Sequence, residues 1–230
     1  MSHQVALPPE IVSRVIRRRG RLHIHEAFEA ARTALLVIDM QGMFLAPDQV
    51  GHVPMAEAVV PAINRAAAAL RRAGGTVVWV ITTFTAQTAR EWSVFFDNFY
   101  TPERRARALE ALSPGGSGHA LWPEMDRWPG DWLVEKTRFS AMLPGASDLE
   151  ARLAAAGIDH LWIAGTLTSV CCESTARDAM MRNFKVTMLA DANATHSDAE
   201  HNASLAALFQ VFADVMTVDE ALHRLRPAAA

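Results

Sequence analysis

Three reactive side chains stand at or just past the ends of apolar runs that read as buried strands. Asp39 closes TALLVID (Thr33–Asp39), Lys136 follows Trp132–Glu135 in WLVEKTRFS, and Cys171 comes after His160–Gly165 (HLWIAG). A thiol, a carboxylate and an ammonium that converge make a nucleophile with its base. The carboxylate accepts the thiol proton and returns it to a leaving amine, while the lysine holds both anions in place. This is a nucleophile, base and orienter set built without histidine. In open α/β sheets, ligands bind outside the carboxyl ends of the strands, where the strand order reverses.

The segment Gly165-Thr-Leu-Thr-Ser-Val-Cys171 reads as a strand-to-helix turn, with the thiol at or near the first helical turn. Unpaired N–H groups and the positive end of the helix dipole favour a thiolate there, below its ordinary pKa. Cys172 competes for the role. One residue along a helix rotates a side chain by about 100°, so only one of the two thiols faces a pocket and the other packs as a small hydrophobe. Each residue also has a plainer reading: inert core for a cysteine, a turn for Asp39, a surface lysine for Lys136.

These positions require a scaffold. The apolar runs Thr33–Asp39, Thr76–Thr82, Trp132–Glu135, His160–Gly165 and Lys185–Ala190, with a short one around Asp214–Val218, do not alternate with polar residues. Strands buried on both faces of a parallel sheet read that way. Helical patterns lie between them: Met55–Ala73 before Gly74-Gly75, Pro102–Leu112 after Thr101, Ser147–Ala156, Cys171–Asn183 and Ser197 or Asp198 to Phe212. Alternating strands and helices predict βαβ units with right-handed crossovers. The fold class is α/β, a three-layer α/β/α domain over residues 1–230 with a mainly parallel, doubly wound sheet of about six strands. A helix from about Pro9 to Arg19 lies in an N-terminal extension, residues 1–30, placed to cover the sheet edge or a neighbouring subunit. Two segments break the rhythm and read as long loops. Phe84–Tyr100 carries Phe84, Trp92, Phe95, Phe96, Phe99 and Tyr100, and Ser113–Gly130 is rich in Gly, Pro and Trp. Such segments serve as lids, subunit contacts or aromatic packing.

Composition narrows the function classes. Half of the 230 residues are hydrophobic and a fifth charged, with a formal net charge of −3, a globular mix without the basic excess of a nucleic-acid binder. Arg17-Arg18-Arg19 suits a solvated helix end. Two adjacent cysteines exclude a secreted disulfide framework and a four-cysteine zinc site. The first residues lack an uninterrupted apolar h-region, and no apolar run is long enough to span a membrane; the expected compartment is the cytoplasm. There is no GxGxxG turn after the first strand, and Gly115-Gly-Ser-Gly118 lacks the lysine and helix of a phosphate loop, so it reads as a flexible turn. His23-Ile-His25 and His196-x₄-His201 have no evident third ligand. Neither a metal nor another cofactor is expected.

Asp39-Met-Gln41 with Phe44, Lys136 followed by Phe139-Ser140, and Gly165-x-x-Thr168-x-x-Cys171 occur in this order. Over roughly Thr33 to Leu222 the chain resembles the isochorismatase-like cysteine hydrolases, and Gly165–Ala179 looks closest to ureidoacrylate amidohydrolase and related amidases. The resemblance implies Asp39, Lys136 and Cys171 as the triad, with Cys172 in the packing. It implies a cis peptide between Thr166 and Leu167, and an oxyanion hole from the backbone N–H groups of Leu167 and Cys171. It places Phe44 on the substrate, with Trp92 and Phe139 as further pocket walls. Where nicotinamidases carry Asp-x-His for a metal, this chain reads Ile81-Thr-Thr-Phe-Thr-Ala-Gln87. The implied activity is cleavage of a small-molecule amide or ureide through a Cys thioester. The alternatives are vinyl-ether hydrolysis of an isochorismate-like substrate, which needs the Asp but no thiol, or a silent binding module. Arg138 or Arg90 offers a guanidinium to a substrate carboxylate, or a solvated or subunit contact. Relatives imply a homodimer or homotetramer.

Overall fold

The computed structural model describes residues 2–228. A two-residue strand, β1 (Phe28–Glu29), is followed by β2 (Thr33–Ile38), β3 (Thr76–Thr82), β4 (Trp132–Lys136), β5 (His160–Thr166), β6 (Lys185–Ala194), β7 (Asp214–Met216) and β8 (Leu225–Arg226). Six of them form one parallel sheet in the order β4-β3-β2-β5-β6-β7, and β1 pairs with β8 alongside it. The chain runs outward from β2 to β4, then crosses back to β5 and runs outward on the other side. The order therefore reverses between β2 and β5, the crevice where such sheets bind ligands.

Side chains alternate across each strand, and both faces are apolar. Ala34, Leu36 and Ile38 pack beneath α1 (Pro9–Arg19), α7 (Leu149–Ala155), α8 (Glu173–Met181) and α9 (Asp198–Val211), whereas Leu35 and Val37 face α3 (Val60–Arg72) and α10 (Val218–His223). In α3 the buried set Val60, Ile63, Ala67 and Leu70 follows helical spacing, with Pro61 in its first turn. Ser197 caps α9 by accepting a hydrogen bond from the Glu200 N–H at 3.2 Å.

Several expected boundaries move. Lys136 is the last residue of β4 rather than the first after it, and β6 runs on to Ala194. The β5–β6 register breaks between Ile163 and Gly165, and Asn193 fills the gap by donating to the carbonyls of Ile163 and Leu189. Phe84–Tyr100 is not a long loop. Thr85 and Thr88 form a capping box that starts α4 (Ala86–Glu91), followed directly by α5 (Ser93–Asn98). With α2 (Gly42–Leu45) and α6 (Pro102–Ala111), these short helices enclose a third apolar cluster holding Met43, Phe84, Phe96 and Leu112. Aromatic burial gave the segment helical order that its turn-like spacing concealed. The N-terminal extension packs against its own chain: α1 lies along α9, and β1 pairs with β8 in a separate two-stranded sheet, where Phe28 packs on His160 and Trp162 of β5.

Candidate active site

The strand register builds the floor of the site. Thr82 and Lys136 are direct cross-strand partners at the carboxyl ends of β3 and β4, and Asp39 follows β2, whose last residue pairs with Val80 and Gly165. Gly165 holds a φ of +118°, and a Cβ there would stand 2.0 Å from the Ile38 carbonyl oxygen. Only glycine lets β5 approach β2 this closely. Asp39 has a φ of 53°, in the left-handed region that side chains seldom adopt. Its N–H donates to the Val80 carbonyl at 2.8 Å and its own carbonyl accepts the Thr166 hydroxyl at 2.9 Å. Held at both ends, the residue turns its carboxylate toward β3 and β4.

There it meets a closed set of hydrogen bonds. Lys136 Nζ donates to Asp39 Oδ2 at 2.8 Å and to Thr82 Oγ1 at 2.6 Å, and Thr82 Oγ1 donates to Asp39 Oδ1 at 2.8 Å. Asp39 and Lys136 are wholly buried. A buried ion pair persists only where such bonds satisfy its remaining sites. Burial alone would lower Lys136, but Asp39 and then Cys171 raise it overall, so the ammonium stays charged. Gln41 secures Thr82: its side chain accepts from the Thr82 N–H at 2.7 Å and donates to the Thr82 and His119 carbonyls.

Cys171 sits in a π-helical turn, Thr168–Cys172, that precedes α8, not in the first α-helical turn. The Thr166–Leu167 peptide leading into it is cis, and the Cys172 N–H reaches back to the Leu167 carbonyl at 3.1 Å. Cys171 lines a cavity of about 190 Å³, whereas Cys172 lies wholly buried in the helix–sheet core. The expectation of a resting thiolate is corrected. Burial pushes the Cys171 thiol up, Lys136 opposes this, and Asp39 adds to it. Desolvation outweighs the single cation, so the site moves the thiol's pKa up and not down, with the Asp39–Lys136 pair beside it.

The cavity wall is apolar with a few polar groups. Phe44 and Phe139 line it, together with Met43, Phe84, Phe95 and Leu167. Trp92 stands one layer back, packed on Phe95 at 4.4 Å and Phe139 at 4.7 Å between ring centroids, because α5 presents Phe95 in its place. Arg138 reaches the cavity; Arg90 is exposed and apart from it. The sequence reading did not single out Thr82, Tyr100, Arg104 or His196 as site residues, yet all four line the cavity. Thr82 carried a signal, the end of an apolar run; Arg104 lies in the first turn of the expected helix α6, whose position over the cavity only the fold decides, and Tyr100 and His196 come from segments outside the helices and strands. His23 bonds Asp214 at the far end of the sheet, and His25 packs on His160. Among the described residues, no group of three or more His, Cys, Asp or Glu side chains could hold a metal ion.

An isochorismatase domain matches residues 33–220. The chain belongs to the isochorismatase family. Ureidoacrylate amidohydrolase RutB of Variovorax paradoxus (strain S110) is 34% identical over 219 residues, covering 89% of this chain and 85% of that protein. A cysteine hydrolase from Pseudomonas syringae pv. phaseolicola 1448A superposes with a TM-score of 0.78 at 26% identity, over 89% of this chain and 97% of its own. N-carbamoylsarcosine amidase from Thermoplasma acidophilum gives 0.65 at 26% identity, over 82% and 97%. Among the described residues, no helix of this isochorismatase-family chain is long and apolar enough to cross a membrane.

Proposed function

We propose that this protein hydrolyses a C–N bond of a small amide or ureide, with Asp39, Lys136 and Cys171 as its catalytic triad. The observation that carries the reading is a thiol on the cavity wall, next to a fully buried Asp–Lys pair, at the switch point of the sheet. The named activities of relatives, ureidoacrylate amidohydrolase and N-carbamoylsarcosine amidase, are both C–N cleavages.

In this mechanism the substrate carbonyl enters above Cys171. Asp39 takes the thiol proton as Sγ attacks the carbonyl carbon, so the thiolate forms only when it is consumed. The oxyanion is received by the backbone N–H groups of Leu167 and Cys171, an arrangement worth about 10²–10³-fold in rate. Asp39 then gives its proton to the departing nitrogen, the C–N bond breaks, and a thioester remains on Cys171. Water, deprotonated by Asp39, attacks the thioester; the acid leaves and the proton returns to sulfur. Lys136 stays charged throughout and holds the Asp39 carboxylate in line. Phe44 and Phe139 pack on the substrate, and no metal or other cofactor is required.

The same reading takes residues 1–230 as one hydrolase domain acting in a reducing cytoplasm, where both cysteines remain thiols. It also takes the protein as a homodimer or homotetramer, with exposed Val94 and Phe99 beside the cavity supplying apolar contact. Sedimentation would test that state. A panel of ureidoacrylate, N-carbamoyl amino acids, biuret-type ureides, maleamate and isochorismate, assayed for ammonia and for pyruvate, tests the chemistry. Ammonia release supports the proposal; pyruvate release from isochorismate alone replaces it with vinyl-ether hydrolysis. Rapid-quench mass spectrometry of the wild type with substrate should show an acyl adduct on the Cys171 peptide, and Asp39→Asn, which cannot take the thiol proton, should show none.

A further inference from the structure

The first few residues reach the nucleophile turn from outside. His3 is buried although it lies near the start of the chain, with 1% of its side chain exposed. Its Nε2 accepts the N–H of Thr195 at 3.0 Å, and Nδ1 meets Asp198 Oδ1 at 2.7 Å. Accepting a peptide N–H requires a lone pair on Nε2, so Nδ1 carries the proton and donates it to Asp198. The flanking backbone is fastened as well, since the Ala6 N–H donates to Asn202 Oδ1 at 2.8 Å and Asn202 Nδ2 donates to the Gln4 carbonyl at 2.9 Å.

Two branches run from this imidazole to the turn bearing Cys171. Its ring stacks on His201, 4.2 Å between centroids and 11° from parallel, and His201 Nδ1 contacts Thr168 Oγ1 at 2.9 Å. Burial, and then His3, hold His201 down to about 4, so its ring rests neutral and stacks without charge repulsion. The second branch passes through Thr195, whose hydroxyl meets Ser169 Oγ at 3.1 Å. Thr168 and Ser169 open the π-helical turn that ends at Cys172. Thr168, Thr195 and His201 are all wholly buried. A π-helical turn is a poor default for a backbone, and both of its first two side chains are held by this cluster.

We infer that His3 is a positioning residue for Cys171, acting through Thr195 and His201 on the turn that carries the thiol. This rests on Cys171 being the nucleophile. Without the imidazole, the buried Thr195 N–H loses its acceptor and His201 its stacking partner, which frees the turn to relax. Small misplacements of a nucleophile cost rate far more than binding.

The test compares wild type, His3→Ala, His3→Gln, Thr168→Val and His3→Ala/Thr168→Val, in kcat, KM and the iodoacetamide alkylation rate of the Cys171 peptide. His3→Ala should lower kcat about tenfold with KM within about twofold and slow the alkylation, while His3→Gln, whose amide oxygen can accept from Thr195, restores kcat to within about threefold. Thr168→Val should repeat the loss, and the double variant should fall well short of the summed effect. An unchanged kcat in His3→Ala, a loss confined to KM, an equal loss in His3→Gln, or full additivity would overturn the inference. If wild type turns over no member of the panel, the alkylation rates alone decide it, so a failed activity assignment and a failed positioning role are told apart.

Discussion

The two ends of the sheet both bury ionisable groups, and among the described residues only one of them sets a thiol on the wall of a cavity. At the amino end, Asp214 is wholly buried yet meets His23 Nδ1 at 3.1 Å, the N–H groups of Ile24, His25 and Val215, and Arg19 at 3.9 Å. Burial alone would raise this carboxyl, but His23 and those N–H groups bring it below the usual carboxylate range. At the carboxyl end, Asp39 and Lys136 satisfy each other and Thr82, and beside them lies a thiol on the wall of a cavity. Both ends carry shifted pKa values. Both ends also border cavities, the amino-end one lined by Arg19, Ile24 and His25; the difference is that the Asp214 carboxylate has its acceptors filled by its own chain, while the carboxyl-end pair lies beside a thiol on the cavity wall. Perturbed titration and a neighbouring cavity therefore mark both ends, and a thiol facing the cavity beside a buried ion pair is what separates chemistry from architecture.

Mutation at the two ends should separate these roles. Cys171→Ala should reduce turnover by at least about three orders of magnitude, while Cys172→Ala keeps most of it; equal losses would place the nucleophile in the wrong register. Asp39→Asn and Lys136→Ala should each cost at least about two orders of magnitude. Asp214→Asn should leave kcat/KM within about twofold and instead lower the unfolding free energy by roughly 3 kcal/mol, read from denaturant titrations. A large kinetic loss in Asp214→Asn would erase the distinction between the ends.

Acid should attack the amino end. Burial holds His160 down to about 3. The unfolded imidazole takes up its proton near 6.5, so between about pH 6.5 and 3 the unfolded state binds more protons and stability falls as pH falls. His201, at the other end of the sheet behind the Cys171 turn, adds a loss of its own down to about 4. The expected loss is several kcal/mol between pH 7 and 4, and His160→Gln should flatten the curve without altering kcat at neutral pH. On the cavity wall, Phe44→Ala and Phe139→Ala should raise KM about tenfold and Trp92→Ala only about twofold, since Trp92 acts through the rings in front of it. A chelator should leave the rate unchanged; inhibition reversed by zinc would contradict a metal-free mechanism.

Much of this site was legible in the chain. Asp39, Lys136 and Cys171 each follow or end an unbroken apolar run, and such runs mark strands buried on both faces whose carboxyl tips hold ligands. The aromatic density of Phe84–Tyr100 was legible too, but its two short helices were not, because Phe95 orders that segment against a ring contributed from elsewhere, Phe139. Tyr100 and His196 reach the cavity from segments outside the helices and strands, and Arg104 from the first turn of a helix whose placement over the cavity no local pattern specifies.

What the amino-acid order settled by itself was the alternation of strand and helix, and with it the three reactive residues at strand ends, because burial on two faces leaves a mark that a single strand displays. Tertiary packing alone decided which groups share the site: the Thr82–Asp39–Lys136 bonds, the choice between adjacent thiols and the reach of His3. It also decided that the Cys171 thiol is pushed up and not down, for desolvation depends on every atom around the sulfur and not on its neighbours in sequence.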